Sequence, residues 1–207
     1  MIEGKVIYLT GAPATGKTTL ARLIEEKFEP FLRIDYGKLL LERKRETFPY
    51  LKYEELREKS SKIIKVEDVK REDASLITKI NELRATTNII IDSHPVTKEE
   101  YGFRIIPFSL KLLAKLHLDI IIVLHRTYAN ILKTLAENPE GRPLITTEEA
   151  KAHEFLQDII ASSYGIICGC PVYILETNSS LDVLIEKVLN VFRDAKVNYR
   201  PKHCLEP

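Results

Sequence analysis

Short apolar runs alternate with longer stretches whose apolar residues recur every three or four positions, and this alternation continues almost to the end of the chain. Lys5-Val6-Ile7-Tyr8-Leu9 predicts a short buried strand, and Thr18 to Phe28 carries Leu20, Leu23, Ile24 and Phe28 at helical spacing. Phe31 to Asp35 reads as a second strand that ends on a carboxylate. A helix opens at Tyr36, and Pro49 stops it. Two charge-rich helical stretches follow, around Tyr53 to Ile64 and Val69 to Leu83, each with a modest apolar face. Asn88-Ile89-Ile90-Ile91-Asp92 is apolar through its middle, the pattern of a central strand covered on both faces. Val96 to Pro107 has no period and is expected to be irregular. The remainder predicts a helix over Ser109 to Leu118, a buried strand over Asp119 to Leu124 and a helix over Thr127 to Glu137. A turn-rich loop follows at Asn138 to Pro143, then a long helix over Thr147 to Tyr164, a strand over Val172 to Leu175 and a last helix over Ser180 to Ala195.

One stretch adds chemistry to this pattern. Gly11, Ala12, Pro13, Ala14, Thr15, Gly16, Lys17 and Thr18 fit G-x-x-x-x-G-K-[ST], between a predicted strand and a predicted helix, with Thr19 next in line. Gly11 and Gly16 let the backbone turn and approach phosphate oxygens closely. The helix start offers unpaired N–H groups and the positive end of its dipole to an anion. Lys17 is suited to the β- and γ-phosphates, and the Thr18 hydroxyl to Mg²⁺. The cofactors implied are ATP and Mg²⁺.

With this loop in place, the alternation predicts an α/β, three-layer P-loop NTPase fold with a five-stranded parallel sheet of order 2-3-1-4-5 and helices on both faces. Residues 1–195 are expected to form a single domain, with a helical acceptor-side insertion at about 36–86 and a lid at about 137–147. Residues 196–207 are expected to be a loose tail. Ligands should lie at the carboxyl ends of the strands, where Asp35, Asp92, His125 and Arg126 fall.

Composition narrows the function classes. The 207 residues carry a formal net charge of +1, which makes no electrostatic case for nucleic acid or a membrane as partner. No apolar run has the length of a membrane span, and the phosphate loop begins too early to leave room for a signal peptide. A cytoplasmic protein is therefore expected. Cys168, Cys170 and Cys204 do not suggest a disulfide framework. Cys168-Gly169-Cys170 lacks a second Cys/His pair at ligand spacing, so packing is the reading for it.

Asp92 ends the apolar third strand, the usual place for a second Mg²⁺-positioning carboxylate beside Thr18. Asp92-Ser93-His94, with Tyr101-Gly102-Phe103 beyond it, resembles the Asp-Thr-His segment of archaeal-type adenylate kinases. Ile34-Asp35-Tyr36-Gly37-Lys38-Leu39-Leu40 resembles the segment that helps form the AMP site in that family. The eukaryotic nuclear adenylate-kinase-like ATPases also carry Asp-x-His at this strand, and they resemble the chain again at Ala161-Ser162-Ser163-Tyr164. The resemblance implies a small-molecule phosphotransferase of the nucleoside monophosphate kinase type, with AMP as first acceptor. The archaeal enzymes leave a homo-oligomer open.

Two departures matter. The family's arginines after the fourth strand are replaced by Ile131-Leu132-Lys133-Thr134-Leu135. Arg142 in the lid is then the choice for the transition-state clamp, with Arg126 on the nucleotide side. Asp35 stands where the family usually has Asn or Thr. A carboxylate there suits a general base for a hydroxyl acceptor, but it also suits a ribose contact or a helix cap. His94 is placed beside the γ-phosphate or an attacking water. Three readings result: a kinase of AMP or a related acceptor, a kinase of a hydroxyl acceptor with Asp35 as base, and an ATP-driven switch or assembly factor.

Overall fold

The computed structural model describes residues 3–202. The chain runs β1 (Val6–Gly11), α1 (Lys17–Lys27), β2 (Phe28–Glu29), β3 (Phe31–Asp35), α2 (Tyr36–Arg45), α3 (Tyr53–Glu58), α4 (Ser60–Ile63) and α5 (Val66–Leu83). It continues through β4 (Asn88–Asp92), β5 (Val96–Glu99), β6 (Gly102–Ile105), α6 (Leu110–Leu116), β7 (Ile120–His125), α7 (Tyr128–Glu137), α8 (Thr147–Cys168), β8 (Val172–Glu176), α9 (Leu181–Asp194) and β9 (Arg200–Pro201).

The main sheet is parallel, in the order β3-β4-β1-β7-β8. Counting only these five strands, the chain order is second, third, first, fourth, fifth, and the short strands β2, β5, β6 and β9 pair elsewhere. The apolar runs of β1, β4 and β7 feed both faces. Tyr8, Ile89, Ile91 and Ile121 pack against Leu76, Leu113 and Tyr164 from α5, α6 and α8. Ile7, Leu9, Ile90 and Ile122 point the other way, onto Leu20 and Ile24 of α1 and Val188 and Phe192 of α9. A run apolar at every position is what a strand buried on both faces requires.

The helices between β3 and β4 build a small cluster of their own, in which Leu41, Leu51 and Leu56 meet Tyr53 and Ile63. The helix expected over Tyr53 to Ile64 is broken at Lys59, whose φ of −114° and ψ of 32° lie outside helical geometry.

Two other expectations differ from the fold. The segment expected to be irregular forms the antiparallel hairpin β5–β6, with Val96 opposite Ile105 and Glu99 opposite Gly102. Four-residue strands are too short to show a period. The loose tail is docked as far as Lys202. β9 pairs with β2, and Tyr199 sets its ring edge-on against Phe28 at 5.6 Å. Asn88 Nδ2 donates to the Asn198 carbonyl at 2.6 Å, and Lys202 Nζ to that of Glu25 at 2.7 Å. These apolar contacts are scattered between Val197 and Tyr199 rather than periodic. Cys204 and the rest of the tail lie outside the described residues. Cys168 and Cys170 are half-buried beside the left-handed turn at Gly169 (φ 65°), and burial raises both thiol pKa values, with the Cys168 charge adding to the effect on Cys170.

Candidate active site

The octet forms a nest of backbone amides at the end of β1. Gly11 has φ 144°, and a Cβ there would lie 2.5 Å from the Leu124 carbonyl oxygen of the neighbouring strand. Ala14 (φ 63°) and Gly16 (φ 92°) take left-handed conformations that complete the turn, and Thr15 Oγ1 donates to the Ala12 carbonyl at 2.8 Å. No side chain caps α1, whose N-cap is Gly16, so its first N–H groups stay open to an anion. Gln157 of α8 braces the loop from behind. Its amide donates to Gly11 O at 3.3 Å and accepts from Thr10 Oγ1 at 3.4 Å.

Lys17 is folded back on this nest, donating to the carbonyls of Gly11 and Ala12 at 2.7 and 2.8 Å. Burial brings its ammonium down to about 8. The charges of Arg142 and Arg57 lower it too, and Asp92 opposes them. These are the energetics of a cation waiting for an anionic partner.

Thr18 Oγ1 donates to Asp92 Oδ2 at 3.1 Å, so the two residues expected to serve Mg²⁺ are in contact. Their donor atoms are hydroxyl and carboxylate oxygens, which suit a hard cation. Among the described residues no group of three or more His, Cys, Asp or Glu side chains forms a cage.

Both carboxylate oxygens of Asp35, the residue weighed as a general base, have partners. Its Oδ1 accepts from the Lys38 amide at 3.1 Å and so caps α2, and its Oδ2 accepts from Arg33 Nη2 at 2.6 Å. The Tyr53 hydroxyl lies 3.4 Å from Oδ1. Arg33 also reaches Asp92. It was legible only as a lone cation two residues before Asp35 on one strand, hence on the same face.

The loop expected to be a lid rests on the insertion. Arg142 Nη1 lies 3.2 Å from Glu140 Oε2, and Arg57 of α3 donates to the same oxygen at 3.0 Å. Arg57 also lies over the Tyr53 ring, 4.1 Å from its centre. Gly141 has φ 75°, and a Cβ there would come within 2.2 Å of the Glu54 carbonyl oxygen, so only glycine allows this approach. Burial and the neighbouring Arg57 lower the Arg142 pKa. Arg57 was missed because a charged residue on a charge-rich helix carries no pattern. It stands on the insertion and lines the same cavity as Thr134 and Leu135 of the helix where the arginines are missing.

Arg126 Nη1 donates to Ala14 O at 3.0 Å and to Thr134 Oγ1 at 3.1 Å, which ties the end of β7 to the phosphate loop and α7. His94 is open to the cleft, yet the surrounding protein desolvates its ring. That effect, followed by the charges of Lys17, His153, Arg142 and Arg57, holds its pKa well below 6.5. Desolvation and the surrounding cations therefore disfavour the protonated imidazole.

A cavity of about 450 Å³ runs from the phosphate loop into a lobe under the insertion. Its deep wall includes Tyr36, Leu40, Val69, Ile106, Phe108 and Tyr164. Phe108 stacks on Tyr164 at 5.7 Å and receives the edge of Tyr36 at 5.6 Å. Arg57 and Arg104 bring cations to the same lobe. The cavity therefore combines an apolar, aromatic wall with several cations, and the phosphate nest opens into it.

Comparison with known proteins agrees with this geometry. The family model described as AAA domain matches residues 10–151. The chain is 27% identical to the adenylate kinase of Methanococcus vannielii over 202 residues, covering 93% of this chain and all of that protein. It is 25% identical to the adenylate kinase of Methanocaldococcus jannaschii over 201 residues, with 93% of this chain and all of the relative covered. For the adenylate kinase of Pyrococcus furiosus the identity is 24% over 188 residues, 89% of this chain and 91% of the relative. No helix among the described residues is long and apolar enough to cross a membrane. With its phosphate nest, parallel sheet and matched span, the chain belongs to this AAA domain family, as an adenylate-kinase-like, ATP-dependent kinase.

Proposed function

We propose that the protein transfers the γ-phosphoryl group of ATP to AMP. The observation that carries this reading is the cavity beside the phosphate nest, whose aromatic and aliphatic wall suits a nucleobase and whose cations suit phosphate. The engagement of both Asp35 oxygens weighs against a hydroxyl acceptor, which would need that carboxylate as a base.

In this mechanism, the amides of Gly11 to Thr18 and the Lys17 ammonium hold the β- and γ-phosphates, and Arg126 steadies the loop beside the donor nucleotide. Thr18 and Asp92 would hold Mg²⁺, which supplies charge neutralisation on the β- and γ-oxygens when bound. Arg142 and Arg57 leave Glu140 for the transferring group and stabilise the charge on its equatorial oxygens. An AMP phosphate oxygen bonds to the γ-phosphorus as the bond to the β–γ bridging oxygen breaks, yielding two ADP. No base is required, because the acceptor oxygen is already anionic. Neutral His94 sits beside the reacting group without adding charge.

The test is a phosphoryl-transfer screen with ATP and Mg²⁺ over nucleoside monophosphates, nucleosides and small polyols, with acceptor-free hydrolysis as baseline. Two ADP formed per AMP consumed is the expected result. Transfer to a nucleoside or polyol but not to AMP would overturn the reading. Hydrolysis unchanged by any acceptor would point to an ATP-driven switch.

A further inference from the structure

Asp35 and Asp92 are register partners on the adjacent parallel strands β3 and β4, so their carboxylates stand side by side at the strand ends. Arg33 lies between them. Its Nη2 is 2.6 Å from Asp35 Oδ2 and 2.9 Å from Asp92 Oδ2, and its Nε is 3.2 Å from the same Asp92 oxygen. Only 11% of the Arg33 side chain is exposed, against 13% for Asp35 and 6% for Asp92. The strand is pinned as well, since the Arg33 amide donates to Glu25 Oε1 of α1 at 2.9 Å.

Two neighbouring carboxylates at a strand end would repel each other and would attract a divalent cation. The guanidinium removes both tendencies. It leaves one net negative charge where there would be two, and its fork fills the oxygens that face each other. We propose that Arg33 is a positioning residue that takes the place of a cation between Asp35 and Asp92, so that a divalent ion reaches Asp92 only when nucleoside triphosphate brings it. Asp92 is held in one rotamer by Thr18 and Arg33 and does not collect free metal beforehand. This rests on the ATP and Mg²⁺ reading of Thr18 and Asp92. It does not depend on AMP being the acceptor.

The experiment uses Mn²⁺ as a spectroscopic stand-in for Mg²⁺. The full chain, free of nucleotide, is titrated with Mn²⁺ and free ion is read by electron paramagnetic resonance. Wild type should bind no Asp92-dependent ion up to about 1 mM, the weak end of carboxylate sites. Arg33→Gln, with its fold checked by circular dichroism, should bind one ion at least about tenfold more tightly than wild type. Adding Asp92→Asn to Arg33→Gln should abolish that site, and Arg33→Lys, which keeps the charge but not the fork, should bind Mn²⁺ more weakly than Arg33→Gln. A folded Arg33→Gln variant that binds no better than wild type would overturn the proposal. So would a wild-type chain that takes up one Mn²⁺ without nucleotide and loses it in Asp92→Asn, an arm that needs no Arg33 variant. Failure to phosphorylate AMP would leave these arms unaffected, so the two readings fail separately.

Discussion

Arg57 and Glu140 meet across the mouth of the cleft, the guanidinium of the insertion 3.0 Å from the carboxylate of the lid. Arg142 shares the same carboxylate oxygen at 3.2 Å. Partial burial would raise the Glu140 carboxyl, but the Arg57 hydrogen bond and the Arg142 charge prevail and hold it below the usual carboxylate range. Two cations on one acceptor oxygen are poised for exchange, because a phosphoryl group offers more charge and more oxygens than a carboxylate.

Arg142→Lys keeps the charge and loses the planar fork. We expect kcat to fall by about a hundredfold or more, with ATP affinity little changed. Arg57→Ala should give a comparable loss in kcat/KM for the acceptor. Steady-state kinetics on both variants decides the matter. If both transfer at the wild-type rate, the clamp lies elsewhere, with Arg126 next in line.

Lys17→Ala removes the charge from the nest and should weaken ATP binding or turnover by orders of magnitude. The wild-type lysine carries a finer test. Its pKa of about 8 in the free protein should rise towards the ordinary value of 10.5 when phosphate arrives. ATP binding near pH 8.5 should therefore take up protons, while binding near pH 6.5 should not. Calorimetry in buffers of different ionisation enthalpy reads this directly. An absence of proton uptake at pH 8.5 would contradict the assignment of Lys17 to the phosphates.

Asp35→Asn separates the acceptor classes. Asparagine can still cap α2 and Arg33 keeps Asp92 as partner, so the cost to stability should be about 1.5–3 kcal/mol, the size of one lost charge-assisted hydrogen bond. AMP phosphorylation should fall by less than about tenfold. A loss of about two to four orders of magnitude, together with transfer to a hydroxyl acceptor, would restore Asp35 as a base.

His153 makes stability depend on pH. It is 1% exposed, donates from Nε2 to Val96 O at 3.1 Å and leaves Nδ1 without a partner. Burial, then the charge of Lys17, brings its pKa to about 4, against an opposing pull from the Val96 hydrogen bond. A depressed pKa means that the unfolded chain binds the proton first. The contribution is present above pH 6.5 and is lost as pH falls towards 4, at about 3 kcal/mol in total. Asp73 works the other way. Burial raises its carboxyl to about 6, so its contribution is present below about pH 4 and is lost as pH rises through 6. His153→Gln should flatten the decline in urea stability between pH 6.5 and 4. An equally steep decline in the variant would refute the assignment to His153.

The sequence by itself determined what is local or periodic. A phosphate nest needs glycines and a lysine at fixed offsets, so Gly11 to Thr18 could be read in order. Strands buried on both faces are apolar at every position, which made β1, β4 and β7 legible and placed Asp92 at a strand end. Only the tertiary structure decided which charges meet. Arg57 and Glu140 are 83 positions apart, and Arg33 and Asp92 are 59 apart. A charge on a solvated helix and a charge in a cleft look alike in sequence, because neither periodicity nor propensity records its partner. The hairpin β5–β6 and the docked residues 197–202 escaped for a related reason. Their strands are short and are held by contacts with distant elements, and a single sequence shows neither. Asp35 shows the division most clearly: its place at the end of a strand was readable, but its role depends on an arginine whose rotamer only packing could set.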